Sequence, residues 1–397
     1  MKLSKRVQAC ELSPMRKFHP FAVEAQAKGR KIYHLNIGQP DIATPEVYFD
    51  AVRNFASPVL AYAESPGVPS YLAAVQAYYD RLGAHYDESE ILATTGGSEA
   101  LSILMQCILD PGSEVLIPEP FYPNYATFIC AAFGSIRPIP TSPEEGYHYA
   151  DRALIEPLIN ENTRAILITN PSNPTGVILT AEERQMLLEL ARERDLYLIC
   201  DEVYREFTYN GEGLVTMGAM EDPGENLVIV DSISKRFSAC GARIGCLISR
   251  NKALMAEALK FCQARLSVAT LDQVAAAALY TVDKSYFEEV REEYKRRRDT
   301  MMRKLKAIPN VTCETPDGAF YLMAALPVDD ADKFQQWLLT DFEDHGETVM
   351  FSPGHSFYAT PGKGVNEVRI AYVLKESDLS RAIDLLALGI EAYQKIM

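Results

Sequence analysis

The chain has 397 residues, of which 48% are hydrophobic and 23% charged, and its formal net charge is -15. Single cores stop growing at roughly 250–300 residues, so two domains are expected. The acidic balance argues against a general binder of nucleic acid or anionic membrane, since both are polyanions, and leaves room for a local cationic pocket that holds a small anion.

The opening "MKLSKRVQACELSPMRKFHPF" is charged throughout and lacks the apolar core of a signal peptide. No run approaches the roughly 18 apolar residues of a membrane span. Residues 1–45 are polar, broken by Pro and Gly, and end in "LNIGQPDIATP". They read as an arm that crosses to the small domain more than as a helix-rich unit. Residues 46–290 alternate short apolar runs with helical patterns. "EVLIP" (114–118), "AILIT" (165–169), "LYLIC" (196–200), "NLVIV" (226–230) and "IGCLIS" (244–249) are continuous apolar runs bounded by polar or turn residues, the signature of strands buried on both faces. Between them lie helices, among them "SEALSILMQCIL" and "TAEERQMLLELARERD", the second opening on a capping-box pattern at Thr180 and Glu183. This predicts an α/β large domain with a mostly parallel sheet flanked by helices. Residues 285–308 read as a long charged amphipathic helix bridging the domains. The remainder, 291–397 with "AFYLMAAL", "EVRIAYVL" and a last helix from Glu376, reads as a smaller α+β domain.

The eight cysteines form no Cys-x-x-Cys pair and the six histidines show no metal spacing. Reduced, largely buried thiols in a cytoplasmic protein, and no metal, are expected.

Ligands of open parallel sheets sit at the carboxyl ends of the strands. "NPSNPTG" (170–176) follows the second of these runs, "DEVY" (201–204) the third and "DSISK" (231–235) the fourth. Lys235, among serines just past a buried strand, is shielded as a nucleophilic amine needs to be. Asp201 is a carboxylate placed to hold a heteroaromatic nitrogen protonated. A lysine Schiff base with such a carboxylate is what pyridoxal phosphate chemistry requires. Tyr204 and Asn173 could both donate to the ring hydroxyl.

"NPSNPTG", "DEVY", "SISK" and "GARIG" resemble, in identity, order and spacing, the motifs of the class I/II aminotransferases, pyridoxal-phosphate enzymes of fold type I like the aspartate aminotransferases. The resemblance runs from "LNIGQPD" to "EVRIAY". It implies that Lys235 bonds the cofactor covalently and shuttles the proton, that Asp201 pairs with the pyridinium nitrogen, and that Tyr204 and Asn173 bind the ring hydroxyl. In "TTGGSEAL", Gly96, Gly97 and Ser98 open a helix whose free N–H groups and dipole suit the cofactor phosphate. Ser232 and Arg243 match two further phosphate ligands. Tyr62 resembles the tyrosine that reaches the phosphate from the neighbouring subunit, which makes the active unit a homodimer. Tyr122 in "EPFYPNY" matches the residue stacked on the ring, with Phe121 the competing choice. Arg369, flanked by Val and Ile, matches the arginine that grips the substrate α-carboxylate through two parallel hydrogen bonds. Gly38 matches a glycine where the chain passes over the substrate.

The implied activity is ping-pong transfer of an amino group between an L-amino acid and a 2-oxo acid. Arg265 falls near the place of an arginine that, in the dicarboxylate-specific branch, reads the distal carboxylate across the dimer interface, although its spacing from Lys235 is shorter. Aspartate or glutamate, with oxaloacetate or 2-oxoglutarate, is the substrate reading that rests on it. Arg265→Ala is then expected to depress turnover of aspartate far more than of alanine. A carbon–sulfur β-lyase on the same scaffold is the alternative. A ligand-sensing half of a transcription regulator is disfavoured, because no basic helix-turn-helix precedes the large domain.

Overall fold

The computed structural model describes residues 1–10, 13–209 and 215–396. Twelve strands are formed among these: β1 (Lys31–His34), β2 (Ile91–Thr94), β3 (Glu114–Pro118), β4 (Ser135–Ile139), β5 (Thr163–Thr169), β6 (Tyr197–Asp201), β7 (Leu227–Ser232), β8 (Gly245–Ser249), β9 (Tyr321–Ala325), β10 (Glu347–Met350), β11 (Ser352–Pro353) and β12 (Glu367–Ala371).

Seven of them build one sheet in the order β2-β8-β7-β6-β5-β3-β4. The pairs β3–β4, β3–β5, β5–β6 and β6–β7 are parallel, and only β8 runs against its neighbours β7 and β2. Both faces are covered. Leu116, Ile166, Ile168, Leu198, Cys200 and Ile229 join one apolar core, whereas their alternate neighbours Val115, Ile117, Ala165, Leu167, Ile199 and Val228 join another. Side chains alternate across a strand, so a run that must satisfy two cores is apolar at every position. The helices Gly96–Ile108 and Lys252–Ala264 cover the second face, and Pro69–Arg81 and Ala181–Glu193 the first. The last of these begins at Thr180 with the capping box read from the sequence, Thr180 Oγ accepting from Glu183 N at 3.2 Å and Glu183 Oε2 accepting from Thr180 N at 2.7 Å.

A separate core surrounds two small sheets, β11-β12-β9 (antiparallel) and the parallel pair β1–β10. The helix Lys284–Leu305 runs through position 290 and serves both bodies. Tyr286 and Phe287 pack on the large-sheet core, and Val290, Tyr294, Met301 and Leu305 lie in the other. The first 45 residues hold more structure than their composition suggests. A helix spans His19–Ala27 with proline in its first turn, and β1 pairs with β10 from the far end of the chain. No helix among the described residues is long and apolar enough to cross a membrane.

Candidate active site

The sheet topology gathers the motif residues. Register sets Thr169 beside Asp201 and Asp201 beside Val230, so the loops leaving β5, β6 and β7 emerge side by side. Because β8 is antiparallel, it starts at this edge, with Gly245 opposite Ser232 and Thr94. That is why Arg243 precedes its strand while Asn173, Tyr204 and Lys235 follow theirs, and why the helix opening at Gly96 stands at the same edge.

Lys235 sits in the short helix Ile233–Arg236, half-buried, and its Nζ donates to the carbonyl of Gly38 at 2.8 Å; the Cys240 Sγ is 3.8 Å away. Asp201 is buried at the end of β6, its Oδ2 accepting from the Tyr125 hydroxyl at 2.7 Å and its Oδ1 from Val203 N at 3.2 Å. Burial pushes its carboxyl up to about 6. Asp231 adds to that rise, while the two hydrogen bonds and Lys235 oppose it. Asn173 Nδ2 donates to the Tyr204 hydroxyl at 3.3 Å, and the hydroxyls of Tyr204 and Tyr321 are 3.1 Å apart. Burial holds the Tyr204 phenol well above its ordinary range, so it stays protonated.

Gly96 is left-handed at φ 71°, and a Cβ there would lie 2.5 Å from Arg243 Nη2, so a side chain would displace the guanidinium that stands over the helix start. Arg243 itself is left-handed at φ 56°, a conformation that costs a non-glycine residue on the order of 1 kcal/mol or more. Ser232 is buried and its Oγ accepts from Ser234 N at 3.0 Å. Gly97 and Ser98 follow in the first turn of the helix, Ser98 exposed. Tyr122 is half-buried, and its phenol is raised by burial first and by Tyr321 and Asp201, with Arg369 and Arg243 opposing. Phe121 is buried, with its backbone N donating to Phe357 O at 2.8 Å.

Arg369, on β12, is 1% exposed. Its Nη1 donates to Asn173 Oδ1 at 3.1 Å and its Nη2 to Asn36 O at 2.9 Å, and the guanidinium lies over the rings of Tyr321 (4.5 Å) and Phe357 (5.1 Å). Tyr321 and Arg369 belong to antiparallel neighbours, with Tyr321 opposite Ala371, so the two project from one face as diagonal neighbours. The Tyr321 hydroxyl also donates to Gly38 O at 3.4 Å, and a Cβ on Gly38 would fall 1.8 Å from that hydroxyl. Gly38 is therefore needed for close approach of the 36–38 segment to β9.

Tyr125, Tyr321, Asn36 and Phe357 are site residues absent from the sequence reading. Two predicted residues lie apart from this constellation. Tyr62 is 80% exposed, on a segment tied to its own chain by Thr270 Oγ1 to Ala61 O at 2.8 Å and Ser65 Oγ to Leu266 O at 2.7 Å. Arg265 is engaged within its own chain, its Nε 3.1 Å from Glu99 Oε1 and its Nη2 donating to Ala93 O at 2.6 Å.

The family described as aminotransferase class I and II matches residues 30–386. An aspartate aminotransferase of Bacillus subtilis (strain 168) is 32% identical over 99% of this chain and 100% of its own. An aspartate/prephenate aminotransferase of Thermus thermophilus is 32% identical over 97% of this chain and 98% of its own. Among solved structures, an aspartate aminotransferase from Thermus thermophilus with maleate superposes with a TM-score of 0.89 at 30% identity, covering 98% of this chain and 100% of that one. An alanine aminotransferase from Pyrococcus furiosus superposes with a TM-score of 0.90 at 27% identity over 98% and 100%. A match of this extent, on a chain whose motifs meet at one sheet edge, makes the protein a member of the class I and II aminotransferases: it is a transaminase of fold type I.

Proposed function

We propose that this aminotransferase takes L-aspartate as amino donor and a 2-oxo acid such as 2-oxoglutarate as acceptor, with pyridoxal 5'-phosphate held at the carboxyl edge of the large sheet. The observation that carries the reading is the meeting of Lys235, Asp201, the Tyr204–Asn173 pair and Arg369 around the Gly38 segment. Relatives named for aspartate support the donor, and so does maleate, a four-carbon dicarboxylate, in one superposed structure.

The residues fit the cofactor. An amine (Lys235) is available to its aldehyde, a buried carboxylate (Asp201) to its ring nitrogen and a phenol and amide (Tyr204, Asn173) to its ring hydroxyl. The Tyr122 ring can stack on it, and Arg243, Ser232 and the N–H groups from Gly96 to Ser98 suit its phosphate. When bound, pyridoxal phosphate supplies the electron sink for the charge left at Cα. Arg369 grips the α-carboxylate and so fixes where the Cα–H bond points. The Gly38 carbonyl, 2.8 Å from Lys235 Nζ, holds the free amine in one direction. As a neutral amine Lys235 takes the Cα proton and later returns it as general acid. Asp201, fixed by Tyr125 and Val203, presents negative charge where a ring N–H needs it.

The active unit is a homodimer. Val59, Leu60 and Tyr62 are 68%, 65% and 80% exposed, an apolar run that association would cover. Tyr62 would then complete the phosphate site of the partner. A Tyr62→Ala protein that holds the cofactor as tightly as the parent would remove this role. All eight cysteines are free, which supports a reducing compartment such as the cytoplasm.

A panel of amino acids, scored by conversion of the bound cofactor to its amino form, tests the substrate reading. Aspartate is expected to convert fastest, and faster conversion of alanine sinks the assignment. Lys235→Ala is expected to lose turnover by about 10⁴-fold or more. A variant that kept the yellow cofactor adduct would overturn the central role of Lys235. The carbon–sulfur β-lyase alternative is not favoured by aminotransferase relatives. It would need pyruvate and ammonia to appear from cystathionine without an oxo acid.

A further inference from the structure

Four charged side chains are sealed beneath the site and none has been given a task. Glu202, Arg205, Asp231 and Arg236 are 1%, 2%, 0% and 1% exposed. Each is the chain neighbour of a site residue: Glu202 follows Asp201, Arg205 follows Tyr204, Asp231 precedes Ser232, and Arg236 follows Lys235. Asp231 accepts from Arg236 Nη2 at 2.5 and 2.6 Å, from Arg205 Nη2 at 3.3 Å, from the Tyr79 hydroxyl at 2.9 Å and from Ser232 N at 2.7 Å. Glu202 pairs with Arg205 Nη1 and accepts from Thr216 Oγ1 at 2.8 Å and Met217 N at 2.7 Å. The Tyr78 ring lies 5.1 Å from the Arg205 guanidinium and 4.4 Å from that of Arg236. Two acids and two arginines leave no net charge.

Buried ion pairs are a poor source of stability, because the desolvation they cost is about as large as the attraction they regain, and apolar replacements are often neutral or better. Their directional bonds, however, fix backbone. Here they join the end of β6 to the end of β7 and pin the first turn of the helix that aims Lys235.

Resting on the reading of this edge as a pyridoxal phosphate site, we infer that Asp231 and Arg236 are positioning residues that aim Lys235 and keep the ground beneath the site electrically neutral. Asp201 is faced by Tyr125, Asp231 and Lys235. Asp231 in turn is faced by Arg205 and Arg236, by Tyr71, Tyr78 and Tyr79 of the helix Pro69–Arg81, by Cys246 of β8 and by Tyr280, and Glu202 shares Arg205 and Tyr79 with it. Removing one of the four charges therefore leaves a net unit charge that acts on the site.

The test uses the holoenzyme and reads the pH midpoint of the cofactor's visible band, which follows the proton on the Lys235 nitrogen. Arg236→Met leaves excess negative charge, which favours that proton, and is expected to raise the midpoint by about one pH unit, the size of a unit-charge effect at an effective dielectric of about 20. Asp231→Asn leaves excess positive charge and is expected to lower it by a similar amount. The double variant Asp231→Asn/Arg236→Met is neutral again, so its midpoint returns to that of the parent, while cofactor affinity stays about tenfold weaker because Lys235 is no longer aimed. A purely structural role would weaken all three variants without this change of sign. Folded Arg236→Met at the parent's midpoint, or a double variant shifted as far as a single one, overturns the inference. If Arg236→Met does not fold, a midpoint in Asp231→Asn that rises or stays does the same. A parent protein without the band fails the cofactor reading itself, whereas a band with unmoved midpoints fails this inference alone.

Discussion

Arg369 and Arg265 were both candidates to read a substrate carboxylate, and their surroundings differ in kind. Arg369 reaches the site from a strand, laid over the rings of Tyr321 and Phe357 and hydrogen-bonded to the neutral oxygens of Asn173 and Asn36. Arg265 stands at the end of the helix Lys252–Ala264 and faces Glu99 in the first turn of the helix that begins at Gly96. A neutral acceptor orients a guanidinium by direction more than by charge. A carboxylate at 3.1 Å cancels that charge before a guest arrives. Residue type and approximate position leave the two arginines alike, and their partners distinguish their surroundings.

The most direct way to break this contrast is to truncate Arg369. Arg369→Ala is expected to lower kcat/KM by about 10²–10³-fold for aspartate and for alanine alike, the usual consequence of removing one member of a buried charged pair. Both donors share the α-carboxylate, so the loss should not depend on side chain. Arg369→Lys should recover little, because an ammonium cannot give two parallel hydrogen bonds. Steady-state kinetics on both donors checks this, and a loss confined to aspartate would move Arg369 to the distal carboxylate.

The same contrast shows what could be read from the chain alone. Asn173, Asp201, Tyr204, Ser232 and Lys235 are local to the ends of three adjacent parallel strands, and a doubly covered strand is legible as an unbroken apolar run. The carboxyl-edge rule then gathers them without any long-range knowledge. The substrate wall is different. Tyr321 becomes a partner of Arg369 only once the register of β9 against β12 is known. Asn36 acts through a backbone carbonyl, which no side-chain pattern announces. Tyr125 lies in the first turn of the helix Asn124–Ala131, three residues after Tyr122, and becomes a site residue only because its hydroxyl meets Asp201 at the end of β6, a contact between distant segments. The helix His19–Ala27 is hidden in the sequence because Pro20 reads as a breaker, whereas in a first turn the missing N–H costs nothing. The pair β1–β10 joins the two ends of the chain, and four-residue runs carry too little periodicity to reveal it.

The cofactor half offers a second, smaller effect. In the cofactor-free protein, burial raises the Asp201 carboxyl to about 6 from 3.8. Between those values the folded state holds more protons than the unfolded one, so stability falls as pH rises through this window. Asp201→Asn removes the buried charge. Without cofactor, the variant is expected to match the parent near pH 4 and to exceed it at pH 7 by about 3 kcal/mol, while losing turnover. Urea unfolding of both proteins at several pH values measures this. An unchanged slope between pH 4 and 6 would mean that Asp201 carries no such strain.

Arg265→Ala gives the smallest change and the sharpest test of the opening contrast. If Arg265 read a distal carboxylate, aspartate turnover would fall and alanine turnover would not. Paired with Glu99, its loss instead frees a carboxylate in the first turn of the helix at Gly96, next to the Thr95 N–H that Glu99 Oε2 already accepts at 2.7 Å. Anionic charge gathered there competes with phosphate for the same helix end. The expected result is therefore a several-fold weaker hold on the cofactor, with the ratio of aspartate to alanine turnover unchanged at saturating cofactor. Glu99→Gln/Arg265→Ala should recover most of the affinity, since it removes the freed charge as well. A ratio that falls tenfold or more in Arg265→Ala would return this arginine to the substrate and show that it leaves Glu99 when a dicarboxylate binds.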